Sequence, residues 1–185
     1  MTALSTETGS PAGEPAGEPV ELPWRVLPDY QCFGCSPANE RGLRLRFRHT
    51  PDGGIECTLV FDRTFESYPG VVHGGMSATV CDEIMGNLLV LRLGVSVFTT
   101  SMRTRYIEPL EIGATYRCTA STDAVAGDKG PYTAQAQITD AAGQAVVFVS
   151  GSYQPVTPEQ AKARMAMSDD EARLVDEALS ALRTD

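Results

Sequence analysis

Residues 75 to 92 constrain this chain more than any other stretch, because they are apolar on nearly every side of a helix. At about 100° per residue, Val80, Ile84 and Leu91 fall on one side and Gly75, Ala78, Gly86 and Leu89 on the other. A surface helix carries one apolar stripe, whereas a helix that is apolar all round is buried on most sides. Gly94 closes it, since glycine suits the left-handed conformation that ends helices. Asp82 stands in the middle of the second stripe, among small neighbours that let another backbone come close. A carboxylate in such surroundings loses water and gains basicity unless donors compensate. The structural alternative is an acid satisfied by hydrogen bonds. Glu83, about 100° further round, lies nearer the polar margin with Asn87 and reads as a solvated or paired side chain.

The segments around this helix alternate with period two, which marks strands with one buried face. Leu43, Leu45 and Phe47 alternate with Arg44, Arg46 and Arg48, and Ile55, Cys57, Leu59 and Phe61 share a face beyond the turn cluster Pro51-Asp52-Gly53-Gly54. These two runs predict a hairpin. Residues 97–107, 115–125, 132–140 and 145–154 predict four more strands, so a long helix leads into an antiparallel meander of the α+β class. The repeat Pro-Ala-Gly-Glu at 11–14 and 15–18 cannot bury enough apolar area to offset its ordering entropy. Residues 1–22 are expected to be a disordered tail, and residues 23–156 the folded domain. In the tail 157–185, Ser168 with Glu171 forms a capping box ahead of a stripe through Leu174, Val175, Ala178, Leu179 and Leu182. That helix is expected to pack on the domain or on a second subunit.

A net charge of −9 disfavours nucleic-acid binding, which needs surplus Lys and Arg on one face. The longest apolar run, 84–93, is broken by Gly86, Asn87 and Arg92, and Met1 to Pro19 lacks the basic start and apolar stretch of a signal peptide. A soluble, cytoplasmic protein with no membrane partner is the expectation. Five cysteines are an odd number, and Cys57, Cys81 and Cys118 lie inside patterned segments, which fits reduced thiols used as small core residues.

Just before the helix runs Tyr68-Pro69-Gly70-Val71-Val72-His73-Gly74-Gly75. Two glycines at a helix start leave backbone N–H groups without intrahelical partners, where the dipole favours negative charge. Donors fixed in advance at such a point suit an acyl oxygen as it gains charge. His73 taken alone is equally a structural hydrogen-bonding residue, and His49, next to a turn, reads as surface.

Val72-His73-Gly74-Gly75, followed by an acid nine positions after the histidine, resembles the phenylacetate-degradation (PaaI-like) type of hotdog-fold thioesterase. The similarity continues through Val97-Phe98-Thr99-Thr100 and Arg105-Tyr106-Ile107-Glu108-Pro109-Leu110. It spans roughly residues 30–155. The resemblance implies a hotdog fold, with an antiparallel sheet wrapped round a long central helix. It further implies a homodimer or dimer of dimers with a continuous sheet and sites at the interface. Carried over, Asp82 is the general base or nucleophile, the Gly74 amide the oxyanion donor, and His73 the residue that orients the carbonyl side. Thr99 helps hold the attacking water and comes from the other subunit. Where relatives place Asn or Gln, about six residues before the histidine, this chain has Ser67, preceded by Glu66. Substrate contacts are expected from these two, with Glu66 a secondary candidate for the acid, and from Gly75, Tyr68, Thr100 and Arg103. Met76, Met85 and Phe98 join Tyr68 as expected determinants of pocket depth. Neither water attack nor an anhydride on Asp82 requires a metal or an organic cofactor.

Cys32-Phe33-Gly34-Cys35 has spacing that holds zinc or serves redox exchange. No second such pair exists in the chain, so a complete zinc site would need His49, other residues or a second subunit. The favoured reading is a tight structural loop that caps the acyl pocket. The leading activity is hydrolysis of acyl-CoA; the alternatives are release of acyl groups from a carrier protein and a non-catalytic acyl-CoA-binding hotdog protein. Acidic carriers would be repelled by an acidic enzyme, and retention of Asp82 argues against a purely binding role.

Overall fold

The computed structural model describes residues 17–127 and 129–183. Its elements run β1 (Arg48–His49), β2 (Ile55–Val60), α1 (Gly74–Leu93), β3 (Ser96–Tyr106), β4 (Thr115–Ser121), β5 (Tyr132–Thr139), β6 (Ala145–Val156), α2 (Pro158–Arg164) and α3 (Asp169–Ala181). The strands make one antiparallel sheet in the order β1-β2-β4-β5-β6-β3. One face is covered by α1, which touches β2, β3, β4, β5 and β6. This is the α+β sheet-round-helix architecture that the sequence implied.

Alternation builds the core. Cys57 pairs with Cys118, Cys118 with Ile138, and Ile138 with Val147, so one row of small and branched side chains crosses the sheet beneath α1. All four are essentially inaccessible to solvent, as are Ile84, Met85 and Leu89 of the helix. Each large apolar side chain buried in this way contributes roughly 1.5–3 kcal/mol. All five cysteines are free thiols. Gly94 caps α1 in the left-handed conformation, its amide bonding to the carbonyl of Val90.

Three expectations shift. The first arm of the expected hairpin is not a regular strand: Arg44 has φ of 50°, which breaks extended pairing, and only Arg48–His49 pairs with β2. Leu43 and Leu45 donate instead to the carbonyls of Phe33 and Gly34. Leu45 and Phe47 are still buried, so the alternation was right about the face and wrong about the partner. Second, the folded part begins before residue 23, because Val20 and Leu22 are core residues and the Val20 amide donates to Phe47; residues 1–16 of the expected tail lie outside the described residues. Third, the C-terminal segment contains two helices. In α3, the Ser168/Glu171 capping box forms and Val175 and Leu179 are buried beside Val90, Trp24 and Val97 of the domain. The shorter α2 has its own capping box at Thr157 and Gln160. No described helix is long and apolar enough to cross a membrane.

Candidate active site

Asp82 is half-buried on α1 and its Oδ1 accepts two hydrogen bonds, from Thr99 Oγ1 at 2.7 Å and from Tyr153 Oη at 3.1 Å. Oδ2 has no partner among the described residues. Burial, and then the carboxylate beside it, push the Tyr153 hydroxyl well above the usual phenol range, so it stays a donor. Room for the Tyr153 ring comes from Gly151, where a Cβ would lie 2.7 Å from the ring. Tyr153 escaped the sequence reading, although glycine inside a strand marks close approach. Thr99 reaches the Asp82 of its own chain, where the resemblance implied a threonine from a second subunit. The chain reverses at Gly94, and β3 runs back along α1 until the Tyr106 hydroxyl donates to the Gly74 carbonyl at 3.0 Å. A bulge between Thr99 and Ser101 changes the parity of the strand. Thr99 therefore faces the helix before the bulge, and Met102, Thr104 and Tyr106 face it afterwards.

At the start of α1, His73 is the N-cap and its Nδ1 accepts the Gly75 amide at 3.0 Å. An accepting Nδ1 places the neutral imidazole proton on Nε2, which leaves a donor on the exposed side. One of the two glycine amides is thus consumed within the chain. The Gly74 amide, at the first helical position, has no partner among the described residues. Gly74 and Asp82 are eight positions apart, which is about 12 Å along the helix.

The remaining candidates separate. Glu66 is tied into its own loop, accepting from the Gly70 amide at 2.7 Å and from Arg63 at 3.3 Å. The Gly70 amide above all holds its carboxyl below the usual range, which makes it a poor base. Ser67 and Tyr68 are exposed beside it, Tyr68 at 78%. Thr100, at the bulge, donates to the Ser152 carbonyl at 2.9 Å. Arg103 pairs in register with Ser150 on the face away from α1, so it does not meet Asp82 of its own chain. Met85 is wholly inside the core and lines no cleft, whereas Met76 and Phe98 are half-buried. A cavity of about 540 Å³ lies between Ser96, Val156 and Leu179 and does not touch Asp82. In a single chain the acid faces an open surface.

Glu83 takes the paired one of its two expected states, in half-buried surroundings. Its carboxylate accepts from Asn87 Nδ2 at 2.8 Å, as the pairing predicted, but both oxygens also lie 3.4 Å from Cys32 Sγ. Burial pushes its carboxyl up to about 7. The hydrogen bond from Cys35 pulls Cys32 down to about 5, while that same bond and burial push Cys35 up.

Residues 69–136 match the model of the thioesterase superfamily. No curated protein matches the chain. Among solved structures, a thioesterase superfamily protein is 25% identical with a TM-score of 0.61, covering 78% of this chain and 69% of that one. A putative thioesterase of Ralstonia eutropha, described as related to phenylacetic acid degradation, is 20% identical with a TM-score of 0.56, covering 66% and 92%. A hypothetical thioesterase of Streptococcus pneumoniae, solved with coenzyme A, is 20% identical with a TM-score of 0.54, covering 60% and 85%.

Proposed function

We propose, starting from a chain that belongs to the thioesterase superfamily, that it hydrolyses an acyl-CoA to the free acid and coenzyme A at a site completed by a second copy of itself. The observation that carries this reading is Asp82, with one carboxylate oxygen fixed by Thr99 and Tyr153 and the other open. A base needs that arrangement: the fixed oxygen sets direction, and the open one takes a proton from water. The water oxygen attacks the thioester carbonyl, the carbonyl oxygen gains charge beside the Gly74 amide and His73 Nε2, and collapse expels the coenzyme A thiolate, which takes up the proton. Two neighbours by structure, from Streptococcus pneumoniae and Streptococcus mutans, were solved with coenzyme A and acetyl-CoA, which supports a CoA ester as the substrate class.

Two features favour a shared site. A thioester whose oxygen is held by an amide, and whose attacking water is held by a base, spans at most about 9 Å between those protein groups. The Gly74 and Asp82 backbones of one chain stand about 12 Å apart along the axis, with the carboxylate leaning back part of that way. In addition, β3 is an eleven-residue strand at the sheet edge, with Thr99, Thr100, Ser101, Arg103 and Arg105 exposed. A long unpaired edge is a template for another strand. Two-fold pairing there continues the sheet and brings the start of one α1 to the middle of the other.

The test is thiol release over an acyl-CoA panel, with acyl-carrier substrates in parallel. Turnover of acyl-CoA that is abolished in Asp82→Asn and Asp82→Ala, with melting curves unchanged, is expected. Tight binding of acyl-CoA without thiol release would favour the binding-protein alternative. Near-normal rates in either variant would remove Asp82 from the chemistry.

A further inference from the structure

The loop before β1 meets α1 one residue beyond Asp82, and the contact is made of groups that bind soft metal ions. Cys32 Sγ, Cys35 Sγ and a Glu83 carboxylate oxygen all lie within 4.8 Å of one another, the one such group of three or more His, Cys, Asp or Glu side chains among the described residues. In a tetrahedral zinc site, bonds of about 2.3 Å to sulfur and about 2.0–2.2 Å to oxygen put neighbouring ligand atoms roughly 3.5–3.8 Å apart. The 3.4 Å from Cys32 Sγ to the Glu83 oxygens is close to that edge.

The surroundings supply outer partners of the kind that orient metal ligands. The Gly34 amide donates to Cys32 Sγ at 3.3 Å, and the Tyr30 hydroxyl lies 3.3 Å from Cys35 Sγ. Both contacts suit sulfur as an acceptor, as a thiolate is. On the other side, Asn87 holds Glu83, and Trp24 Nε1 in turn donates to Asn87 Oδ1 at 3.0 Å. Gly34 is needed for the approach, since a Cβ there would lie 2.4 Å from the Glu83 carboxyl. No Lys or Arg makes an ion pair with Glu83 among the described residues, so the protein brings no cation of its own to these acidic groups.

We propose that Cys32, Cys35 and Glu83 bind one thiophilic divalent cation of the zinc class, fastening the loop to α1, with a water in the fourth position. A Cys32–Cys35 disulfide accounts for less. It would leave two carboxylate oxygens facing a bond that offers no proton and no charge.

The full chain, freed of any metal-affinity tag and stripped by a chelator, is titrated with Zn(II) and with Co(II). One zinc per chain, a higher melting temperature on adding zinc, and a thiolate-to-cobalt charge-transfer band are expected. Cys32→Ser and Cys35→Ser should each weaken the band and the double variant abolish it, and Glu83→Gln should weaken zinc binding at least about tenfold. Should these variants fail to fold, iodoacetamide labelling of the unaltered chain decides, because bound zinc must protect Cys32 and Cys35. Zinc that neither binds stoichiometrically nor protects the two thiols, cobalt bound without the thiolate band, or a Cys32–Cys35 disulfide in protein prepared without air, would each overturn the proposal. None of these readouts depends on thioester hydrolysis.

Discussion

Replacing Gly74 by proline removes a single atom pair of interest, the backbone N–H, and leaves the helix almost everything else. Gly74 is the first residue of α1, the position where proline is favoured because its amide has no intrahelical acceptor. His73 before it has ψ of 127°, away from the helical ψ that a following proline disfavours. The nearest neighbour of an added Cβ is the Tyr106 ring, 3.4 Å away. If the Gly74 amide holds the thioester oxygen, its loss should lower kcat about 10²–10³-fold, the cost of deleting one oxyanion donor, or about 2.7–4 kcal/mol. Gly74→Ala is the control, because it introduces the same Cβ against Tyr106 and keeps the N–H. Steady-state thiol release and thermal melts of both variants read out the difference. A proline variant that melts normally and turns over like the alanine variant would refute the assignment of the amide.

Mixing Gly74→Pro with Asp82→Asn, after subunit exchange, should restore about a quarter of the unaltered rate, since half of the dimers are mixed and each carries one intact site. Activity no higher than the two parents would mean that each site lies within one chain. Tyr153→Phe deletes one of two bonds to a charged acceptor, worth about 1.5–3 kcal/mol; kcat should fall by about tenfold or more while KM stays close to its original value. An unchanged kcat would show that Thr99 alone orients the acid. Gly34→Ala forces a methyl group against the Glu83 carboxyl, an overpacking that costs about 1–3 kcal/mol. A melting temperature lower by roughly 3–10 °C is expected, and an unaltered melt would show that the loop yields freely.

Legibility in the sequence followed the range of the interaction. The helix at 74–93, the core face of β2 and the meander of β4 to β6 are written locally, as periodicity, and the observed elements agree with the expected spans to within a few residues. The first hairpin arm had the right alternation, yet its pairing was decided by Arg44 at positive φ and by carbonyls of residues 33 and 34. The site behaves in the same way. Asp82 and the helix start stand out because an acid in an apolar helix and a His-Gly-Gly turn are local oddities. Tyr153, Glu83 with the two cysteines, and the chain that supplies Thr99 are separated from their partners by 71, 51 and 17 positions. Only the turn at Gly94, the bulge at Thr99–Ser101 and the small residues Gly34 and Gly151 bring them together. Those glycines were the available signal: each sits where a neighbouring side chain occupies the space of a missing Cβ. Gly34 admits a carboxylate remote in sequence and Gly151 admits the ring two residues along its own strand, and the contacts they allow end on adjacent residues of α1, the Cys32–Cys35 loop on Glu83 and Tyr153 on Asp82.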